Sequence, residues 1–176
     1  MTRQLHDQFA KEYLEELLTP LGVIKKSEKV SSEVQEIDVF FEPTSPPPFG
    51  LTLGLLGKMA TTSCLFEPYR NPPSETEIGS CLSKLYAVHS DVLRRAKRQK
   101  QTIPFSELPF LWILTPTFST RMIEGVVGKF TNDESWVKGV YFSPYIFKTG
   151  IVAIHQLPVN EETLLLRVLG KGGTQK

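Results

Sequence analysis

The stretch Gln35-Glu36-Ile37-Asp38-Val39-Phe40-Phe41-Glu42-Pro43 decides the fold. Its residues alternate as a strand requires, with Ile37, Val39 and Phe41 on one side and Glu36, Asp38, Phe40 and Glu42 on the other. Three carboxylates on one side of one strand have two readings. One is the solvent-facing side of a strand at a sheet edge. The other is an acidic strand that binds a metal ion through oxygen ligands. Upstream, Val23–Val30 is β-tolerant, so the two segments form a hairpin or meander. Downstream, Thr44-Ser45-Pro46-Pro47-Pro48 ends the strand, because a triple proline is extended and cannot pair inside a sheet. That run reads as a surface loop within one domain, since the pieces on either side are too short to fold separately.

Working outward, Phe9, Tyr13, Leu14, Leu17 and Leu18 recur at helical spacing and predict a helix over Asp7–Leu18, stopped by Pro20 and Gly22. Its acidic set Glu12, Glu15 and Glu16 reads as a solvated face, with Glu16 at the edge of the apolar side between Leu5 and Phe9. After the prolines, Leu51–Thr62 suits a short helix weakened by Gly54 and Gly57. Cys64-Leu65-Phe66-Glu67 is a short apolar strand, limited by Pro68, Pro72 and Pro73.

Ser74-Glu75-Thr76-Glu77 is a capping box that opens a long helix with the apolar stripe Ile78, Leu82, Leu85, Val92, Leu93 and Ala96. His89 lies inside the stripe and reads as a hydrogen-bonded core residue. The helix closes with Arg94, Arg95, Lys97, Arg98 and Lys100, five cations in seven residues. They suit a helix C-terminus and also form a phosphate-attracting patch. Phe110–Leu114 (FLWIL) reads as a central strand buried on both faces. Ser119 caps a short helix ending near Gly125–Gly128. Val140–Phe142 and Gly150–Leu157 are strands, with His155 and Gln156 at the end of the second. Asn160 caps a last helix, Glu161–Leu169, closed by Gly170. The expected architecture is a single α/β domain over residues 1–170, a central mixed β-sheet flanked by helices, with a frayed tail at 171–176.

The chain has 176 residues, 40% hydrophobic and 22% charged, which fits one ordinary globular domain. Twenty basic against nineteen acidic residues give a net charge of +1, which excludes a histone-like protein but allows a local basic patch. Two cysteines, Cys64 and Cys81, make no disulfide scaffold and no C-x-x-C pair. The polar start lacks a secretory core, and no apolar run is long enough to cross a bilayer, so a cytoplasmic setting without membrane partners is the expectation. The P-loop, the dinucleotide-binding glycine fingerprint, the G-x-S-x-G elbow and H-E-x-x-H are all missing. Neither cysteine carries a local nucleophile signature. Carboxylate-bound divalent metal is the chemistry that remains.

A helix, a meander whose second strand carries an aspartate, then a helix and a strand: this order resembles the core of the PD-(D/E)XK nucleases. His6–Gly22 (HDQFAKEYLEELLTPLG) resembles the first helix of the recombination-promoting nuclease, or transposase-like, bacterial branch of that superfamily, and Glu36–Phe41 resembles its aspartate strand. Leu65–Ile78 (LFEPYRNPPSETEI), PFLWILTP and IVAIHQLP look like further blocks of that branch. The resemblance implies a restriction-endonuclease-like core and Mg²⁺-dependent cleavage of DNA phosphodiesters. It assigns Asp38 and Glu67 as metal ligands, with Glu16 (or Glu12) of the first helix as a further one. A lysine two residues past the glutamate belongs to the pattern. Here that position is Tyr69, and the nearest cation, Arg70, sits at +3. Arginine stays charged and can steady phosphate but not act as a base. Arg94, Arg95, Lys97, Arg98 and Lys100 would hold the DNA backbone.

Two further readings stand beside this one. A catalytically degenerate member of the same fold would be a binding or assembly module, as a homodimer or with a partner; near-zero net charge and eleven Phe, five Tyr and two Trp favour it. A small-molecule enzyme using His89 or His155 has no motif behind it.

Overall fold

The computed structural model of the chain describes residues 2–30, 35–44, 52–127 and 134–171. The acidic stretch forms strand β2 (Gln35–Pro43), which pairs antiparallel with β1 (Gly22–Val30) and with β3 (Cys64–Pro68). β3 runs parallel to β4 (Phe110–Thr115), and β4 parallel to β6 (Thr149–Ala153). β5 (Val140–Phe142) closes the far edge antiparallel to β6, so the six-stranded order is β1-β2-β3-β4-β6-β5. β1 and β2 follow each other closely in sequence and β2 reaches β3 through α2 (Gly54–Met59), whereas each parallel step needs a crossover. These crossovers carry helices α3 (Glu75–Arg98) and α4 (Thr120–Val127).

Helices cover both faces, giving the single mixed α/β domain that the sequence predicts. On one face lie α1 (Thr2–Leu18), α2 (Gly54–Met59) and α5 (Leu164–Lys171). Their Ala10, Leu14, Leu55, Met59 and Leu166 pack on Val39, Phe41, Phe66, Trp112 and Val152. On the other face α3 and α4 bring Ile78, Cys81, Leu85, Val88 and Ile123 against Phe40, Leu65, Ile113 and Ile151. β4 is central and buried on both sides, as its uninterrupted apolar run predicts.

The capping box forms as expected: Ser74 Oγ accepts from Glu77 N–H at 3.2 Å, and Glu77 Oε1 accepts from Ser74 N–H at 3.1 Å. His89 is buried, with Nε2 2.7 Å from the Pro109 carbonyl oxygen. Several boundaries differ from the sequence reading. Ile37 packs with Phe40 on the α3 side rather than with Val39 and Phe41. The ladder skips the Ser27–Asp38 position, and Ser27 takes a left-handed φ of 55°, so local twist breaks the simple alternation. The strand expected over Gly150–Leu157 stops at Ala153, and Ile154–Gln156 turn as a 3-10 helix, drawn inward by the bond from His155 N–H to Pro116 O. The last helix starts at Leu164, not Glu161, because Asn160 Oδ1 caps Thr163 N–H within a preceding turn. Gly170 lies inside that helix rather than ending it; a Cβ there would stand 2.7 Å from Ile154 Cγ2, so glycine permits the close packing. The triple proline and residues 172–176 of the tail fall outside the described residues.

Candidate functional site

Asp38 and Glu67 meet because β2 and β3 are neighbours. Their ladder ends at Val39↔Phe66, the residues next to Asp38 and Glu67, and both acids line the cleft beyond it. Beyond this point β2 and β3 no longer pair, and a polar cleft of about 370 Å³ opens at the carboxyl end of β3. Asp7, Asp38, Glu67, Tyr69, Arg70 and Lys84 line it, with Glu77 at the start of α3.

Glu67 is the most constrained group in the cleft, with only 1% of its surface exposed. Lys84 of α3 reaches down to it, placing Nζ 3.1 Å from Oε1 and 3.2 Å from Oε2. Burial and the facing Asp38 carboxylate outweigh Lys84, and the Glu67 carboxyl is pushed up to about 8. Burial and the neighbouring acid thus favour the protonated form of Glu67. Asp38, on its open side, is met by Lys11 of α1 at 3.3 Å. Lys11 also reaches Glu36 at 3.3 Å and Ser27 Oγ at 3.0 Å. Burial opposes its charge, but Asp38 and Glu36 prevail and hold the Lys11 ammonium above its ordinary range.

Tyr69 does not plug the cleft. Its ring packs on the α3-side core and its hydroxyl lies 3.1 Å from Cys81 Sγ. Burial pushes the Cys81 thiol up to about 12, as suits a core sulfur and not a nucleophile. Arg70 follows the end of β3 at Pro68. The chain bends there, so Arg70 joins the cleft lip instead of pointing away as a continued strand would require. Behind the lip, buried His6 stands with Nδ1 3.9 Å from Asp7 Oδ1; burial, and the nearby Arg70, lower its basicity.

The other sequence-assigned residues lie elsewhere. Glu16 is exposed and acts on Tyr13, outside the cleft lining. Arg94, Arg95 and Arg98 surround a separate hollow of about 380 Å³ with Asp91, and Lys97 and Lys100 are exposed nearby. At 1.5 Å per helical residue, Arg94–Arg98 stand roughly 15–21 Å along α3 from Lys84. His155 is exposed, and His89 serves the core.

Lys84, Lys11 and Asp7 are absent from the sequence-derived set. Lys84 left a usable signal: it follows Cys81 by three residues and precedes Val88 by four, so it shares the buried face of α3. A lysine on a core-facing stripe needs a counter-charge, and Glu67 is the buried acid that supplies one. Lys11 and Asp7 left no comparable mark.

Among the described residues, no three His, Cys, Asp or Glu side chains converge as a metal-ligating group. Asp38 and Glu67 are the pair suited to a divalent cation. The like charge that raises Glu67 is the repulsion a cation relieves, and Mg²⁺ takes one or two carboxylates while keeping several waters. No described helix is long and apolar enough to cross a membrane. In comparisons with known proteins, no family model, curated protein or solved structure matches the chain.

Proposed function

We propose that the chain is a Mg²⁺-dependent DNA endonuclease with a PD-(D/E)XK, restriction-endonuclease-like core. The observation that carries this reading is the meeting of Asp38 and Glu67 from adjacent strands, with the Lys84 ammonium on both oxygens of Glu67. The helix–meander–helix–strand order around them supports it. So does the position of Lys84: from α3 it supplies the cation beside the glutamate that Tyr69 displaces from the strand.

Asp38 and Glu67 would hold the metal. Bound there, Mg²⁺ supplies an activated water and neutralises charge developing on phosphate. Lys84 Nζ, fixed against Glu67, orients that carboxylate and offers a positive group to the reacting phosphate. Arg70 at the lip presents a guanidinium suited to a non-bridging phosphate oxygen. The test is nicking of supercoiled DNA by the purified chain. Nicking should require Mg²⁺ and disappear in Asp38→Ala; undiminished nicking by that variant overturns the reading.

A second reading rests on the ion pairs themselves. Lys11 already meets Asp38 and Lys84 already meets Glu67, so both acids have cationic partners within the chain. A binding or assembly module of the same fold would look like this. It predicts no cleavage with any divalent metal and a stable dimer or partner complex by light scattering.

A further inference from the structure

Lys84, Asp91 and Arg98 recur every seven residues along α3, and Arg95 follows Lys84 by eleven. Seven and eleven residues are close to two and three helical turns, so these side chains share one face of the helix. The face that meets the carboxylate cleft at Lys84 therefore continues to the guanidiniums at the far end of α3. There Arg94, Arg95 and Arg98 surround one hollow of about 380 Å³. Its single acid, Asp91, pairs with Arg94. Arg95 and Arg98 are exposed and make no ion pair among the described residues, although Glu42 and Glu107 line the hollow on the other side of Arg95. The helix C-terminus accounts for cations in the last turn. It does not account for three guanidiniums gathered around one hollow in line with Lys84.

We propose that Arg95 and Arg98 form a second phosphate-binding site, aligned with the cleft along α3, for the backbone of a duplex DNA substrate. The site rests on the nuclease reading for its substrate class and deepens it by setting a minimum substrate length. Arg95 and Arg98 stand eleven and fourteen residues from Lys84, roughly 16–21 Å along the helix. At about 3.4 Å of duplex axis per nucleotide of one strand, that distance spans at most about six base-pair steps. A duplex bound in the cleft must extend that far to reach the arginines. Guanidinium suits the task, because it stays charged and grips phosphate through two parallel N–H donors.

The experiment is fluorescence anisotropy with duplexes of about 8, 14 and 24 base pairs in Mg²⁺, with cleavage followed on gels in parallel; each neutralised phosphate should add about 0.9 to the salt slope. The wild-type chain should bind more tightly, by about tenfold, as the flanks grow to about six base pairs, then level off. Arg95→Ala/Arg98→Ala, both surface changes checked by circular dichroism, should bind all three lengths alike and lower the slope by about two. A double variant that keeps the wild-type length dependence and slope overturns the proposal. Two mixed outcomes separate it from the catalytic reading. Length-dependent binding through Arg95 and Arg98 without cleavage sustains the second site and removes the nuclease. Cleavage with length dependence indifferent to these arginines removes the second site alone.

Discussion

The ammonium of Lys84 lies almost symmetrically over the carboxylate of Glu67, 3.1 Å from one oxygen and 3.2 Å from the other, although the residues are seventeen positions apart on different elements. Glu67 is buried at the end of a strand, and Lys84 is only 16% exposed on the helix above it. A buried acid without a counter-charge is costly, and this pairing locks α3 to β3 at the point where the cleft opens.

Removing Lys84 should therefore affect stability and activity through the same contact. Lys84→Met keeps the apolar stem but leaves Glu67 with no cation. The loss should be about 1–3 kcal/mol in urea unfolding at pH 8. It should shrink towards pH 5, where Glu67 can remain protonated. DNA nicking should fall by at least about a hundredfold if the ammonium aids the reacting phosphate.

Glu67 also sets a pH dependence whose sign is fixed. Its folded value, about 8, lies above the ordinary carboxylate value of 4.5. Below pH 4.5 both folded and unfolded chains are protonated, and the contribution to stability is fully present. As pH rises from 4.5 to 8 the unfolded chain gives up this proton while the folded chain retains it. Metal-free stability should then decline at about 1 kcal/mol per pH unit. Glu67→Gln keeps the shape and removes the ionisation. Urea midpoints between pH 5 and 8 should fall for the wild type and stay nearly level for the variant. Parallel profiles would show that Glu67 carries no such burden.

Gly150 tests the packing behind the sheet. A Cβ at this position would stand 2.4 Å from Trp112 Cζ3 and 2.7 Å from Cε3. The ring cannot retreat easily, being wedged among Phe110, Trp136 and Phe142 at centroid distances of 4.8, 5.6 and 5.6 Å. Gly150→Ala should cost about 1–3 kcal/mol through overpacking. It should also shift the tryptophan fluorescence of the folded chain, whereas a silent substitution would mean the ring has room.

The parts of the fold legible in the sequence are those governed by local chemistry. The capping box of α3 is complete within four residues, so Ser74 and Glu77 suffice to place the helix start. The FLWIL run identifies a central strand because only burial on both sides tolerates five consecutive apolar residues. Boundaries set by distant partners were not legible. β6 ends at Ala153, where Pro116 O accepts from the next turn, and Gly170 lies inside α5 in a close approach to Ile154. The site divides along the same line. Asp38 and Glu67 stand out as acids on short strands, but their encounter depends on β2 and β3 pairing across α2 and a proline-rich connection. Lys84 belongs to the site through tertiary contact alone, which is why spacing past Glu67 pointed to Arg70 instead.

Mg²⁺ titration calorimetry near pH 7, repeated in buffers of different ionisation enthalpy, tests most directly whether Asp38 and Glu67 form a cation-holding pair. Glu67 retains its proton in the metal-free chain, so Mg²⁺ entry should expel close to one proton per ion bound. Binding should be lost in Asp38→Asn, and any residual binding in Glu67→Gln should release none. Binding that survives Asp38→Asn, or that releases no proton in the wild type, would contradict a shared site built on these two carboxyls.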